Sequence, residues 1–264
     1  TIAAQLGYVF EFRHTDRIKD YSSASFSRYH AVGLKLIFNV PAPQAEALAT
    51  KLFDAARSAG ARCLVLDGDD DLCVLWPGVI DACDAYIKKH RFSASDEYTR
   101  GNVGKTNLTD YAHKTYGVDF SDDIIPDSRP LSQVQIDKII LGWNIALDDK
   151  IFRLSRDISP NVMSWDKSTD ISCRASVGPD KWIYGMRNAA VEALEELQKK
   201  FRINAPTDRV SQQDYYREML DSRFTVSPFG YGELCWRDFE AILCGSVLIK
   251  PDMSHIETWP NLFL

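Results

Sequence analysis

The sequence predicts an α/β protein with two Rossmann-like domains, residues 1–153 and 154–264, whose parallel sheets face a cleft. Three observations predict this class. The chain has 264 residues, of which 45% are hydrophobic, and this suffices for two compact units. An apolar run, a helical pattern and a second apolar run follow one another between residues 31 and 71, and a second α/β pattern begins after residue 170. Strand, helix and strand at this spacing form a βαβ unit with parallel strands.

The first domain begins with this βαβ unit. AVGLKLIFNV (31–40) predicts a strand, and PAPQAEALATKLFDAARSAG (41–60) predicts a helix with proline at its start and glycine at its end. ARCLVLDGDDD (61–71) predicts a buried strand that ends in acids. GVIDACDAYIKKH (78–90) has helical spacing and ends in basic residues, which suit a helix C-terminus, so we expect a helix that covers the sheet.

Residues 92–130 are polar and predict long loops around one short helix near 107–115. Loops of this length in a compact protein usually serve a functional site. Residues 132–152 return to helical spacing, and the polar, proline-bearing segment 154–170 predicts the crossing between the domains.

The second domain repeats the α/β plan. DISCRAS (170–176) predicts a strand, and residues 182–201 and 211–222 predict two helices. RFTVSPF (223–229) and SVLIKP (246–251) predict strands on either side of a further helix. We expect these strands to form a second parallel sheet.

Composition narrows the possible partners. The net charge of −6 repels nucleic-acid phosphate, so we expect no nucleic-acid partner. The six cysteines form no CxxC pair, which indicates a reducing compartment and no zinc site. No apolar segment reaches the roughly 18 residues of a membrane span, and the first residues lack a signal-peptide layout. We therefore predict a cytoplasmic protein without a membrane span, and peripheral association with a membrane stays open.

The most organised stretch is FTVSPFGYGELCWRDFEAILCGSVLIKP (224–251). Its first strand would deliver the chain to the carboxyl edge of a parallel sheet, where open α/β sheets bind ligands. Gly230 and Gly232 would let the backbone turn with positive φ or approach a ligand closely. The predicted helix 233–244 would present unpaired N–H groups at its start, which favour a phosphate or another anion.

Three charged residues of this helix would share one stripe, because Glu233, Arg237 and Glu240 are spaced at i, i+4 and i+7. A guanidinium can grip a diphosphate in two places, and a carboxylate one turn further can accept hydrogen bonds from sugar hydroxyls. Arg237 and Glu240 therefore fit a nucleotide-sugar. The alternative is a solvated ladder of salt bridges that stabilises only the helix.

Other polar residues follow predicted strands at the same edge. Arg174 ends the strand 170–176, where it could neutralise a phosphate or form a surface ion pair. Lys250 and His255 follow the last strand, where they could face the donor or be ordinary loop residues.

Acids crowd the end of the first-domain strand: Asp67, Asp69, Asp70 and Asp71. Mutual repulsion is expected to raise the pKa of at least one of these carboxyl groups toward that of a working base. Asp69 or Asp70 could then deprotonate an acceptor hydroxyl. Turn formation and capping are the alternative explanation for such acids.

The segment SPFGYGELCWRDFEAILCGSVLIKPDMSH (227–255) resembles the donor-binding segment of exostosin-like glycosyltransferases of the two-Rossmann GT-B type. The family pattern of a strand ending in Ser-Pro, a glycine turn, an arginine, Glu-Ala and a glycine matches at eight positions: Ser227, Pro228, Gly230, Gly232, Arg237, Glu240, Ala241 and Gly245. CRAS (173–176) and LVLDGDDD (64–71) are more weakly similar.

The resemblance implies transfer of a sugar from a nucleotide-diphosphate sugar to a glycan or lipid-linked acceptor, with no obligatory metal or cofactor. The donor would be bound mainly by the second domain, through Arg174, Ser227, Gly230, Tyr231, Gly232, Glu233, Arg237, Glu240, Lys250 and His255. Two departures stand out. The spacing from Glu233 to Glu240 is one residue shorter than in many retaining relatives, and the chain stops at Leu264, where GT-B enzymes commonly continue through a helix that crosses back, so we expect a shortened version of that fold.

Two other functions fit parts of the sequence. The acids of residues 67–71, with Asp67-x-Asp69, would suit a metal-dependent phosphotransferase or sugar transferase, because hard carboxylate oxygens bind magnesium or manganese. A non-catalytic module that binds carbohydrate or nucleotide is the third possibility. Whether the transfer retains or inverts the anomeric configuration stays open.

Overall fold

The computed structural model describes residues 5–37, 39–179, 181–261 and 263. It confirms the α/β class and contains two four-stranded sheets in which every neighbouring pair of strands is parallel. Within these residues, no helix is both long enough and apolar enough to cross a membrane.

The first sheet has the order β1–β2–β3–β7, formed by β1 (Ala31–Leu34), β2 (Arg62–Asp67), β3 (Ala85–Lys88) and β7 (Ile139–Leu141). The helices in this part of the chain are α1 (Ser23–Phe26), α2 (Ala42–Ser58), α3 (Pro77–Ala82), α4 (Asn107–Tyr116), α5 (Gln133–Ile136) and α6 (Asp149–Asp157). Helix α2 buries Ala45, Ala49, Leu52 and Phe53 along one face, which is the stripe that packs on a sheet. The predicted helices at 41–60 and 107–115 are thus confirmed.

The predicted helix over 78–90 is wrong. Helix α3 ends at Ala82, Cys83 is extended, and the carboxylate of Asp84 accepts the N–H of Cys63 at 2.8 Å, which ties this segment to β2. The next residues form β3, where Tyr86 and Lys88 are buried in alternation with half-buried neighbours. Pairing with β2 outweighs helical spacing here, because a strand in the sheet satisfies backbone groups that would otherwise be buried unpaired.

The predicted helical segment 132–152 is also interrupted. Helix α5 is a single turn, and Ile139–Leu141 forms β7 beside β3. A 3₁₀ turn at Ile145–Leu147 then leads into α6. The short apolar run of this segment therefore serves as an edge strand of the first sheet.

The second sheet has the order β11–β10–β8–β9, formed by β8 (Thr169–Ser172), β9 (Ile203–Asn204), β10 (Ser222–Val226) and β11 (Val247–Ile249). Helices α7 (Tyr184–Leu197), α8 (Gln212–Leu220) and α9 (Trp236–Leu243) connect these strands. The predicted strands at 170–176, 223–229 and 246–251 are confirmed, whereas β9 was not predicted.

The last strand of the chain pairs with a strand from the first half of the chain. Strand β12 (Ile256–Thr258) follows β11 and pairs antiparallel with β4 (His90–Phe92), which directly follows β3. The amide Nδ2 of Asn144 also donates to the carbonyl of Pro260 at 3.0 Å. The chain therefore returns from the second sheet to the first, which the sequence did not predict. A smaller antiparallel pair joins β5 (Asn102–Val103) to β6 (Asp127–Ser128).

Candidate functional site

The helix expected to begin at Glu233 begins at Trp236. Its start is capped by Asp238, whose carboxylate accepts the N–H of Cys235 at 3.0 Å. The same carboxylate accepts from Ser227 Oγ at 2.6 Å and from Lys250 Nζ at 3.0 Å. The protein's own carboxylate therefore fills the position where the sequence predicted an exogenous anion. Ser227 and Lys250 complete this buried cluster. Their predicted role in donor binding stays a prediction, and to bind the donor they would have to give up their hydrogen bonds to Asp238.

The glycine turn, residues 229–232, uses its glycines for close approach and not for positive φ. Neither Gly230 nor Gly232 is among the described glycines with positive φ. A Cβ on Gly232 would lie 2.2 Å from the backbone oxygen of Asp70, and a Cβ on Gly230 would lie 3.0 Å from Nη2 of Arg187. The glycine turn thus packs between the acid loop, residues 67–71 at the end of β2, and the start of α7.

Two half-buried guanidiniums lie at the carboxyl ends of β8 and β10. Arg237 Nη2 donates to the carbonyl of Arg174 at 2.5 Å, and Arg187 Nη1 donates weakly to the carbonyl of Ser176 at 3.4 Å. Within the described residues, neither guanidinium has a carboxylate within salt-bridge distance. Burial lowers the pKa of Arg187, and the charge of Arg237 lowers it further. Two cations that repel each other and have no counterion in the described part of the chain favour an anion between them.

The remaining charged residues predicted for the donor are engaged with protein groups. Arg174 pairs with Glu218 at 2.5 Å and with Asp208 at 3.2 Å. Glu240 is buried and accepts from Tyr215 at 3.1 Å, from Tyr216 at 3.0 Å and from Lys150 at 2.6 Å. The predicted single stripe of Glu233, Arg237 and Glu240 does not form, because Glu233 precedes the helix.

Glu233 and His255 meet beside the glycine turn. Glu233 is fully buried; its Oε1 accepts from Asn107 Nδ2 at 2.8 Å and lies 3.4 Å from His255 Nε2. This hydrogen bond raises the pKa of His255, against the opposing effect of burial. Asn107 begins α4, so the contact joins the loop before α9 to a helix of the first half of the chain. Tyr231, also predicted to bind the donor, is exposed and lies against Trp182 with ring centroids 5.9 Å apart.

Three members of the acid loop, Asp67, Asp70 and Asp71, form ion pairs with lysines. Asp67 is buried and accepts from Lys88 Nζ at 2.7 Å and from Tyr86 Oη at 3.0 Å. Asp70 forms an ion pair with Lys89. These contacts fix the loop at the end of β2. Asp69 and Asp71 each keep one buried oxygen without a partner among the described residues, so they are the candidates for proton transfer.

Both of those acids have raised pKa values. The pKa of Asp69 is raised to about 6, by burial first and by the charge of Asp67 second. The pKa of Asp71 is raised to about 7 by burial, although its Oδ2 pairs with Lys105 Nζ at 2.9 Å. The predicted rise in pKa is confirmed, but burial contributes more to it than mutual repulsion does.

Unpartnered buried atoms occur on the acid loop, beside the glycine turn and on Arg237. Such atoms are rare in native proteins, and a group of them indicates a place for water or a ligand. In the described part of the chain they are Asp69 Oδ2, Asp71 Oδ1, His90 Nδ1, Glu233 Oε2 and Arg237 Nε. The other nitrogen of His90 contacts the backbone oxygen of Asp70 at 3.0 Å, so His90 lies against the acid loop. These five atoms and the two guanidiniums define the candidate site.

Sequence reasoning missed Arg187, Asn107 and His90. For Arg187 a signal was present in the sequence. The start of a helix usually favours acids, yet Arg187 lies in the first turn of α7. The residues three and four positions away on both sides are uncharged, so none of them could pair with it along the helix. His90 was missed because its segment was predicted to be helical. Nothing in the local pattern distinguishes Asn107 from an ordinary residue at the start of a helix.

Among the described residues, no three His, Cys, Asp or Glu side chains converge as a metal site would require. Comparisons with protein-family models, curated proteins and solved structures find no match to this chain. Any function must therefore be inferred from the chain's own residues.

Proposed function

We propose that this protein is a glycosyltransferase of the GT-B type, which transfers a sugar from a nucleotide-diphosphate sugar to a glycan or lipid-linked acceptor. One observation carries the proposal: among the described residues no carboxylate lies within salt-bridge distance of Arg187 or Arg237, and both arginines donate to backbone carbonyls just past the end of β8, with Arg187 beside Gly230. A diphosphate supplies the missing negative charge, and the arginines can hold it through several oxygens.

The same cations suit the chemistry of transfer. As the bond between the anomeric carbon and the diphosphate oxygen breaks, its electron pair stays on the diphosphate. Arg187 and Arg237 would stabilise this developing charge without a metal ion, and their half-buried position strengthens the interaction. The acid loop packs against the same turn at Gly232, so the reacting sugar would face that loop.

Asp69 is the acid best suited to accept the proton of the acceptor hydroxyl. Its pKa of about 6 lets it be mainly ionised near neutral pH and yet bind a proton readily. In the proposed step the acceptor oxygen forms the bond to the anomeric carbon while its proton moves to Asp69. Asp70 is less suited to this role because its carboxylate pairs with Lys89.

Isothermal titration calorimetry with UDP, GDP and dTDP tests the proposal, with one set of titrations in EDTA and one in magnesium. At least one nucleoside diphosphate should bind in EDTA. Arg187→Ala and Arg237→Ala should each weaken binding by roughly ten-fold or more, because each removes a charged hydrogen-bonding partner worth about 1.5–3 kcal/mol.

Arg153→Ala is the matched control, because Arg153 has an exposed side chain and pairs only distantly, at 3.7 Å, with Asp149. This variant should bind as the wild type does. Binding that requires magnesium and depends on Asp67 or Asp69 would contradict the proposal and favour metal-dependent chemistry at the acid loop. Tight binding without transfer to any acceptor in a subsequent product analysis would favour a binding module.

A further inference from the structure

The glycine turn also contains a partly exposed aromatic residue, Tyr231. Tyr231 lies between the two glycines and is 44% exposed. Its hydroxyl has no hydrogen-bond partner among the described residues, whereas the hydroxyls of Tyr215 and Tyr216 are both bound to Glu240. Its ring contacts that of Trp182, with centroids 5.9 Å apart and an interplanar angle of 73°.

Trp182 holds this tyrosine in place. The half-buried indole packs edge-to-face on Phe120, with centroids 6.3 Å apart, and contacts the main hydrophobic core. Phe120 is itself buried. An edge-to-face row of three rings, anchored in the core at one end, orients the exposed ring at the other end at little cost in conformational entropy.

The aromatic pair and the cations come from the same two segments. Trp182 lies just before α7, whose first turn contains Arg187, and Tyr231 directly follows Gly230, which approaches the Arg187 guanidinium. On the other side of the turn, Gly232 contacts the acid loop. A ligand whose anionic group lies at Arg187 therefore has an exposed aromatic ring one residue further along the glycine turn and the acid loop against the residue after that.

We infer that Tyr231, supported by Trp182, is a stacking platform for the nucleobase of the ligand bound at Arg187 and Arg237. The inference rests on the proposed function and adds that the site selects nucleoside diphosphates over other diphosphates. The sugar points toward the acid loop, where the proton acceptor lies, so the base is the part that remains for the ring. Stacking accepts any base, because every base has a π-face.

Calorimetry with pyrophosphate, UDP and GDP tests this platform, in EDTA, on the wild type and on Tyr231→Ala, Tyr231→Phe and Tyr8→Ala. Tyr231→Ala should weaken UDP and GDP binding by on the order of ten-fold and leave pyrophosphate binding unchanged. Tyr231→Phe should bind as the wild type does, because it keeps the ring. Tyr8→Ala, which removes a tyrosine 63% exposed in the first described segment, should have no effect. Circular dichroism melting confirms that each variant is folded.

The outcomes separate the platform from the anion site. If the wild type binds pyrophosphate as tightly as every nucleoside diphosphate, the anion site stands and the platform is refuted. Equal losses of pyrophosphate and nucleotide binding in Tyr231→Ala also refute it, because the variant would then act through the turn. A sugar 1-phosphate is titrated in the same way; if Tyr231→Ala weakens its binding as much as that of UDP, the ring contacts the sugar and the nucleobase assignment fails. If the wild type binds neither pyrophosphate nor any nucleotide, the proposed function fails and the platform fails with it.

Discussion

Gly232→Ala tests whether the glycine turn and the acid loop pack as closely as the structure places them. A Cβ at this position would lie 2.2 Å from the backbone oxygen of Asp70, 2.7 Å from its Cβ and 2.9 Å from its carbonyl carbon. Ordinary contact begins at 3.4 Å, so the two loops would have to separate by about 1.2 Å. Since two of the three nearest atoms are backbone atoms, no side-chain rotation can relieve the overlap.

The cost of this separation should lie at the upper end of the range for overpacking, about 2–3 kcal/mol. For a chain of this size that corresponds to a fall in melting temperature of roughly 5–10 °C. Thermal unfolding followed by circular dichroism measures the fall. Hydrogen exchange should also become faster in residues 68–71 and 229–233, because the junction between the two loops opens.

Gly33→Ala is the matched control, because a Cβ on Gly33 would meet only the side chain of Leu66 at 3.5 Å, which is ordinary contact. This variant should melt within about 2 °C of the wild type, since a small change of stability of under 1 kcal/mol is expected. If Gly232→Ala melts at the same temperature as Gly33→Ala, the two loops are not in contact, and the candidate site is not assembled at their junction.

Two further predictions concern buried charges of the acid loop. Burial raises the pKa of Asp71 to about 7, so the folded protein binds this proton more tightly than the unfolded chain does. The protonated carboxyl therefore contributes its full stability below about pH 4, and this contribution is lost as the pH rises to about 7. The free energy of unfolding falls by at most about 1.4 kcal/mol per pH unit over this range. Asp71→Asn should flatten this decline in urea unfolding at pH 5 and 7.5, and an unchanged slope would contradict the burial of Asp71. Lys88→Met should cost about 3–5 kcal/mol, because it leaves the buried Asp67 carboxylate without its cation. Adding Asp67→Asn should restore part of this stability, and a Lys88→Met variant as stable as the wild type would refute the buried pair.

Local pattern predicted the parts of the fold in which periodicity and burial agree. Helix α2 has proline at its start and small apolar residues on one face, and β2 contains the apolar run of residues 63–66, so both were recognised. The sequence pattern gave the wrong prediction at residues 85–88. Their apolar residues have helical spacing, but they pair with β2 as the third strand of the sheet. The choice between helix and strand is decided by partners distant in sequence, which a single window cannot contain.

The residues of the candidate site were also predicted only in part from the sequence. Gly230, Gly232 and Arg237 were singled out because glycines before a helix with an arginine are unusual, and all three lie in or beside the candidate site. Glu240 was singled out by the same pattern, yet it is surrounded by Tyr215, Tyr216 and Lys150. Sequence spacing gives the face of a helix but does not say which groups pack against that face.

The sequence by itself determined the α/β class, the glycine turn after a buried strand and the acids at the end of β2, because these depend on the order of residues along a short segment. Only the tertiary structure decided which charges stay unpaired. Asp238 binds Ser227 and Lys250, and Glu218 pairs with Arg174. Arg187 and Arg237 have no carboxylate within salt-bridge distance in the described part of the chain. The physical reason is that a counterion is chosen by distance in space, and these pairs are brought together by the packing of helices onto the second sheet.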